Sequence, residues 1–325
     1  ATLHLSQSWD MFGDVQYRHV GYKTDGKNDK FYAQPDGTYK NQILDINANY
    51  NFVNPKAGIS YHQDGHRAYF SVAYAGREPE RNNFTNNGSY AAPSAEHLTD
   101  FELGYSYSAA NWNAGLNLYY MNYKDQFVQT GAQSDIGENL TTNIDKSYRA
   151  GVELNADWSP LSWLNVAGNA ALSVNRLKNF DQYYENWDDE TKPAKVHYDK
   201  STLAFSPSTL LNGFLTIHKG GFQAVWHTNF VSRQYLDNTE TALRSLPCYS
   251  QTNVNLSYTL NKIAGVKEAV LGLNLYNIFN RHYAASGWVY NAVGYGIYTT
   301  DKPYTQLGYL PMAGFTMMGT VTLRF

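Results

Sequence analysis

The sequence has little of what most soluble proteins rely on for stability or chemistry. Its 325 residues include one cysteine, which excludes a disulfide framework and a zinc site made of thiolates. Only 16% of the residues are charged, against about 25% in an average soluble domain. The formal net charge is -3, unlike the strongly basic balance of nucleic-acid-binding domains, so no nucleic-acid partner is expected.

The sequence motifs of common enzyme sites are also missing. The chain contains no phosphate-binding glycine loop, no G-x-S-x-G elbow and no H-E-x-x-H pair. We therefore predict a protein that is not an enzyme, with no catalytic residues, no cofactor and no metal site of its own.

Long apolar runs are absent as well. No stretch of about 18 apolar residues occurs, which excludes a membrane-spanning helix but not a membrane-spanning β-barrel, whose strands need only alternate. Residues 1–6 show no basic segment, apolar core or cleavage site of a secretory signal, and they already have the character of a strand. This pattern predicts that an upstream segment has been removed.

What the sequence does contain is strict alternation of apolar and polar residues. Alternation with period two directs the two sets of side chains to opposite faces of a sheet. Along residues 148–158, the apolar face begins at Tyr148 and ends at Trp158. The other face carries Arg149, Glu153 and Asp157. An apolar face bracketed by aromatic residues is typical of a strand that crosses a bilayer between two aromatic girdles.

The same alternation predicts thirteen strands in the chain. They cover residues 2–7, 11–24, 50–62, 66–77, 98–109, 112–128, 144–158, 163–177, 205–218, 221–235, 249–260, 268–281 and 311–325. Short turns alternate with longer polar loops, which are expected at residues 25–42, 78–96, 131–142, 178–200, 236–244 and 284–308.

These features predict an all-β fold, a transmembrane antiparallel β-barrel of the bacterial outer membrane. Short turns at one end and long loops at the other are typical of such barrels. The alternative is a soluble β-sandwich, but ordinary strands have about 5–6 residues, and most of those predicted here are longer. Thirteen is an odd number, whereas bacterial single-chain barrels have an even one. Either residues 43–50 hide a further strand or the barrel is incomplete.

Several motifs resemble the carboxyl-terminal half of a TonB-dependent outer-membrane receptor. They occur in the family's order and span most of residues 50–325, and the chain ends on a strand with a terminal aromatic residue, Phe325. The motifs are Asn54-Pro55-Lys56, Arg77-Glu78-Pro79-Glu80-Arg81, the E-x-L-x-x-F-E-L-G-Y segment at 96–105, Arg149-Ala150-Gly151-Val152-Glu153-Leu154, and Asn274-Leu275-Tyr276-Asn277-Ile278-Phe279-Asn280.

The resemblance implies a 22-stranded barrel around a plug, of which residues 1–325 would be the last thirteen strands. The plug domain, the TonB box and the first nine strands would then lie upstream. The implied partners are outer-membrane lipid, the missing plug domain, TonB in the intact protein, and a large small-molecule ligand such as a metal chelate.

The resemblance also implies active, energy-coupled uptake of a ferric siderophore or a similar chelate such as cobalamin. Haem is less favoured, because haem receptors of this family usually carry a histidine in the loop that residues 77–96 occupy, and this stretch has none. A passive porin or channel would use the same strands. The upstream sequence discriminates the two, since only an active receptor needs a plug and a TonB box.

The candidate site residues belong to two groups. Aromatic residues on long loops offer apolar faces with polar tips to a large ligand, and membership of an upper aromatic girdle is an equal alternative for each tyrosine. These candidates are Tyr183, Tyr184 and Trp187 in residues 178–200 and Trp288, Tyr290 and Tyr295 in residues 284–308. The inward-facing charged residues Glu102, Arg149, Glu153 and Asp157 are predicted to line the lumen or contact the plug; a paired-carboxylate enzyme is the alternative for the acids.

Overall fold

The computed structural model of the protein describes residues 1–85, 92–133, 139–189, 191–263 and 265–325. In these ranges the chain forms eighteen strands and one short helix, α1 (Arg81–Thr85). No helix in the described ranges is long and apolar enough to cross a membrane.

The strands follow one another along the chain, with both short and long connections. They are β1 (Thr2–His4), β2 (Trp9–Ala33), β3 (Tyr39–Gln63), β4 (His66–Arg77), β5 (Glu96–Ser108), β6 (Trp112–Gln133), β7 (Asn139–Leu161), β8 (Leu164–Asn186), β9 (Ala194–Thr202), β10 (Thr209–Lys219), β11 (Phe222–Val231), β12 (Gln234–Tyr235), β13 (Ser245–Leu246), β14 (Tyr249–Ile263), β15 (Val266–Tyr276), β16 (Ala284–Val293), β17 (Tyr304–Pro311) and β18 (Thr316–Arg324).

Thirteen of these strands form the wall, in the order β1-β2-β3-β4-β5-β6-β7-β8-β10-β11-β14-β15-β18. All neighbours on this path pair antiparallel, so both the number of wall strands and the predicted all-β class are confirmed. In the described ranges no ladder joins β1 to β18, and the sheet therefore has an open edge at each end. The remaining strands, β9, β12, β13, β16 and β17, belong to the connections.

Residues 43–50 are not a separate strand. They form part of β3, which pairs with β2 from Tyr39 opposite Ala33 to Tyr61 opposite Trp9. Both strands have 25 residues, more than the about 9–11 that a membrane crossing needs. The hairpin therefore continues well beyond the bilayer.

Three segments predicted as loops are largely hairpins. Residues 25–42 extend β2 and β3, residues 178–200 pair β8 with β9, and residues 284–308 contain most of β16 and β17. Neutral polar residues obscure the alternation in these segments, because outside the lipid neither face of a strand has to be apolar. Cross-strand pairing rather than an apolar face keeps them extended.

Other predicted strands are shorter than expected. The ladder breaks at Phe205, Asn277 and Asn280, whose φ angles of 52°, 52° and 47° lie in the left-handed region. Residues 205–208 and 277–281 therefore lie outside the strands that were predicted to include them. The last strand, β18, begins at Thr316 instead of residue 311.

The two faces of the wall follow the predicted parity. Leu154 and Trp158 on β7 are 45% and 51% exposed and stand opposite Leu116 and Trp112 on β6. Many other large apolar side chains are exposed in the same way. A continuous apolar outer surface of this kind is typical of a lipid-facing wall.

Candidate functional site

A cluster of five aromatic side chains lies at the end of the wall where the long connections meet. Trp187 is at its centre, just beyond the end of β8. The ring of Trp187 lies 5.1–6.5 Å, centroid to centroid, from the rings of Tyr290, Tyr295, Tyr298 and Tyr304. We call these five residues the Trp187 cluster. Centroid separations in this range are those of favourable tilted and edge-to-face pairs.

Backbone contacts bring the two hairpins of the cluster together. β16 pairs in parallel with β8, with Ala292 opposite Glu185. The Trp187 amide donates to the carbonyl of Val293 over 3.0 Å, and the Tyr295 amide donates to the Asp188 carboxylate over 3.0 Å. The cluster is therefore a junction between segments separated by about a hundred residues of chain, and the sequence pattern of either segment does not reveal it.

The position of Gly294 explains how the chain turns at this junction. Its φ of 137° is one that side-chain-bearing residues rarely adopt, and a Cβ there would lie 3.1 Å from Cβ of Trp187. Glycine thus permits both the turn and the close approach of the β16–β17 hairpin to Trp187.

One hydrogen bond within the cluster links its polar groups. The indole Nε1 of Trp187 donates to the hydroxyl of Tyr290 over 2.9 Å. Burial raises the pKa of Tyr290 to about 12, and its hydrogen bond with Glu185 adds to the shift. Tyr290 is therefore neutral near pH 7, and its hydroxyl acts as a hydrogen-bonding group and not as a charge.

A pH titration should detect the ionisation of the Tyr290 hydroxyl separately from that of the other tyrosines. The pKa of Tyr290 in the folded protein lies above the usual value of about 10. The contribution of neutral Tyr290 to the docking of the β16–β17 hairpin on β8 is therefore complete below about pH 10. It is lost as the pH rises through about 12. The tyrosinate absorbance of the protein minus that of a Tyr290→Phe variant should titrate near pH 12. A difference curve centred near pH 10 would contradict this assignment.

A buried ion pair stabilises the connection between β11 and β14. Arg244 Nε lies 3.0 Å from Asp237 Oδ2, and the two side chains are only 7% and 5% exposed. Arg244 also donates to Asn291 Oδ1 over 3.1 Å and to the Thr239 hydroxyl over 2.7 Å. Asn291 belongs to β16, so this ion pair ties the β11–β14 connection to the hairpin that carries the cluster.

The structure brings together some of the predicted ligand residues and separates others. Trp187, Tyr290 and Tyr295 meet in the cluster. Tyr184 is 1% exposed, with the Arg244 guanidinium 5.9 Å from its ring centroid, so in this conformation it contacts protein on all sides. Tyr183 stands opposite Lys195 on β9.

Trp288 lies two residues before Tyr290 on β16, and among the described residues it makes no ring contact with the Trp187 cluster. It is 44% exposed, stands opposite Gly308 on β17, and lies near Leu236 and Asn238. Tyr298 and Tyr304 are aromatic residues of the predicted loop 284–308 but were not among the six predicted ligand contacts, and the Asp237–Arg244 pair was not predicted. No sequence signal distinguishes these residues from other tyrosines and charges in polar loops.

A second concave feature lies where β9 ends and β10 begins. It is a cleft of about 260 Å³ lined mainly by serine and threonine hydroxyls and by Arg176, Arg233 and Glu240. Arg176 Nη1 lies 2.7 Å from Glu240 Oε2. Ligand pockets usually have about 300–1,000 Å³, so this cleft is too small to enclose a large chelate.

The four residues predicted to face the lumen lie on the side of β5 and β7 opposite to exposed apolar residues such as Leu103 and Leu154. Glu153 accepts a hydrogen bond from Asn117 Nδ2 over 3.4 Å. Asp157 accepts one from Asn165 Nδ2 over 2.9 Å. The others are Arg149, whose guanidinium lies 5.5 Å from the ring centroid of Tyr123, and Glu102, opposite Tyr119 on β6. In the described ranges no three His, Cys, Asp or Glu side chains converge as metal ligands.

The inner face also contains a packing arrangement that can be tested by mutation. The ring of Tyr69 lies across Gly104 and donates its hydroxyl to Asn117 Oδ1 over 3.1 Å. A Cβ on Gly104 would come within 2.0 Å of the Tyr69 ring. Gly104→Ala should therefore lower the free energy of unfolding by about 1–3 kcal/mol, measured by thermal unfolding in detergent.

Two variants control this prediction. Gly213→Ala, where a Cβ would meet nothing within 4 Å, should cost much less. Adding Tyr69→Ala should remove most of the effect of Gly104→Ala, since the displaced ring is then gone. Additive losses in the double variant would show that the ring contact is not the cause.

Comparison with known proteins agrees with this architecture. The sequence profile described as "TonB dependent receptor-like, beta-barrel" matches residues 1–278. The chain therefore belongs to the TonB-dependent receptor β-barrel family, a family of transport receptors and not of enzymes. Its wall is part of a transmembrane β-barrel of the bacterial outer membrane.

Solved structures share the fold at low sequence identity. They include the ferric-catecholate import receptor Fiu from E. coli K12 (16% identity, TM-score 0.67), the ferric yersiniabactin uptake receptor FyuA from Yersinia pestis (18%, 0.67) and the copper transporter OprC (14%, 0.71). The alignments cover 100%, 100% and 98% of this chain but 43%, 44% and 47% of those proteins. The chain thus spans less than half of their length. No curated protein matches it in sequence.

Proposed function

We propose that residues 1–325 form the carboxyl-terminal portion of the barrel of a receptor for TonB-energised uptake of a ferric siderophore or a similar large metal chelate. In this proposal the plug domain and the first nine strands belong to the same protein upstream. The chain acts as wall and ligand-capturing loops and has no catalytic role.

The Trp187 cluster is the observation that carries the proposal. Five rings from two distant segments meet at the loop end of the wall, with Tyr295 68% exposed. Their faces are apolar and the tyrosine tips are polar, which suits a chelate that has aromatic or apolar groups around a metal centre. Trp187, Tyr290 and Tyr295 are the residues we propose to contact the ligand.

The names of the structural relatives support the ligand class. Fiu is described as a ferric-catecholate import receptor and FyuA as a ferric yersiniabactin uptake receptor, and both share the fold of this chain. Cobalamin is a similar-sized alternative. Haem is less favoured, because residues 77–96 contain no histidine; residues 86–91 of that stretch lie outside the described residues.

The inner face supports the proposed plug contact. Glu102, Arg149, Glu153 and Asp157 line a surface where charges can stay partly hydrated, so they need not be fully paired. A plug domain would meet these side chains in the intact receptor.

Transport and binding assays on the full-length receptor test the proposal. The intact protein should bind one of a panel of ferric catecholates, ferric hydroxamates, cobalamin and haem, with the ferric siderophores strongest. Uptake of that ligand should cease when TonB is deleted, while binding should persist. Uptake that is unchanged without TonB would instead establish a passive porin, and the absence of binding to any siderophore would overturn the ligand class.

A further inference from the structure

Four lysines stand side by side across four neighbouring strands of the wall. Lys124 on β6 is opposite Lys146 on β7, Lys146 is opposite Lys178 on β8, and Lys178 is opposite Lys200 on β9. We call these residues the lysine row. Directly opposed residues share one face with Cβ atoms about 4.5–5.5 Å apart, and like charges there destabilise a sheet. An anion bound along the row would offset this repulsion.

The lysine row lies on the outer face of the wall. Lys146 is two residues from Tyr148 and therefore shares the face of Leu154 and Trp158. All four lysines are exposed. Their positive charges thus point away from the lumen, toward the surroundings of the barrel.

The height of the row follows from the aromatic girdles on this face. Trp112 and Trp158 are opposed at the end with the short turns, and Tyr120 and Tyr148 are ring neighbours 6.0 Å apart at the other end. Ten residues separate Tyr148 from Trp158, or roughly 33 Å along the strand, which a tilt of about 40° reduces to about 25 Å along the membrane normal. That is the usual height of the apolar band, so the lysine row lies about 5 Å above it, at the level of the lipid headgroups.

Three acidic residues adjoin the row on its loop side. Asp125, Asp145 and Asp199 each adjoin one of the lysines in the chain, and each is one residue further toward the loops. Asp145 lies 3.9 Å from Lys146, with both side chains about two-thirds exposed. Asp181, also on the loop side, already contacts Lys195 at 3.0 Å.

On the membrane side of the row the wall strands carry no acid on this face, but Glu240 from the connection between β11 and β14 contacts Arg176 there at 2.7 Å. The next residues on this face toward the membrane are Asn122, Tyr148, Arg176 and Thr202, which are opposed in the same order. Lys178 Nζ lies 5.6 Å from the ring centroid of Tyr148, so its ammonium group is directed toward the girdle. An anion that approaches along these strands therefore meets the ammonium groups before Asp125, Asp145 and Asp199, and the carboxylate of Glu240 is already paired with Arg176.

We propose that the lysine row binds the phosphate groups of glycolipids in the outer leaflet of the membrane. Basic side chains at headgroup level attract anionic lipids, and lysine ammonium groups are common phosphate ligands. The row is continuous with the lipid-facing band below it, so a single lipid can place its acyl chains on that band and its phosphates on the lysines. This inference depends on the position of the wall in the membrane and not on which ligand the receptor transports.

A lipid-binding assay on the full-length receptor in neutral detergent tests the proposal. The probe is bisphosphorylated lipid A, with dephosphorylated lipid A and inorganic phosphate as separate arms, and binding is measured by native mass spectrometry. Replacing all four lysines (Lys124→Gln, Lys146→Gln, Lys178→Gln and Lys200→Gln) should weaken lipid A binding at least tenfold. Dephosphorylated lipid A should bind the unmodified receptor and the lysine-row variant equally. Inorganic phosphate should compete only weakly with lipid A for the unmodified receptor.

A matched variant and a stability measurement separate specific binding from other causes. Four exposed lysines outside the row serve as the control, namely Lys23→Gln, Lys40→Gln, Lys192→Gln and Lys302→Gln, which should change lipid A binding less than twofold. Without anionic lipid, the lysine-row variant should melt at the same or a higher temperature, because it lacks the repulsion. The proposal would be overturned if the lysine-row variant bound lipid A as well as the unmodified receptor does, or if the control variant lost as much binding as the lysine-row variant. Full competition by inorganic phosphate would overturn it as well.

Discussion

Replacing Asp237 with alanine is expected to destabilise the packing of the loops by about 3–5 kcal/mol, because it leaves the buried guanidinium of Arg244 without its counterion. The remaining hydrogen bonds of Arg244 to Asn291 and Thr239 are to neutral groups and do not compensate the charge. Hydrogen exchange should show the effect in residues 232–248 and in β16, while the wall strands β4 to β7 keep their protection.

A charge-free replacement provides the control for Asp237→Ala. Exchanging a buried ion pair for apolar side chains of similar volume is often neutral or stabilising. Asp237→Leu combined with Arg244→Met should therefore restore most of the protection that Asp237→Ala removes. Unchanged protection in Asp237→Ala itself would show that the ion pair does not hold the loops together.

Trp187→Ala should have the second large effect, since it removes the ring that every other member of the Trp187 cluster contacts. The loss of a large aromatic side chain from a packed site is worth about 3–5 kcal/mol, with the lower end expected here because Trp187 is only partly buried. The β16–β17 hairpin should detach from β8, and the affinity of the full-length receptor for the proposed ferric siderophore should fall about 10-fold to 100-fold.

Two further variants separate packing from ligand contact. Trp187→Phe keeps an aromatic ring but loses the hydrogen bond to Tyr290. The variant should therefore keep most of the docking of the β16–β17 hairpin on β8 and part of the affinity for the ligand. Trp288→Ala removes an exposed tryptophan outside the cluster and should alter the affinity by less than threefold if the cluster is the capture site. An equal loss in Trp187→Ala and Trp288→Ala would place the ligand elsewhere on the loops.

The wall was predictable because the bilayer imposes one simple rule on it. Each strand must show lipid an apolar face, so alternation such as that from Tyr148 to Trp158 is visible in the sequence. The thirteen wall strands and the inward parity of Glu153 and Asp157 followed from that rule alone. Beyond the bilayer the rule no longer applies, and for this reason the sequence predicts a loop at residues 25–42, where the structure has the upper parts of β2 and β3.

The sequence by itself determined the all-β class, the strand count, the two faces of the wall and the family resemblance. Only the tertiary structure decided which loop residues meet, because the Trp187 cluster and the Asp237–Arg244 pair depend on how separate hairpins dock on one another. The lysine row has the same origin. Its members lie on four strands, and only the register between those strands places them side by side.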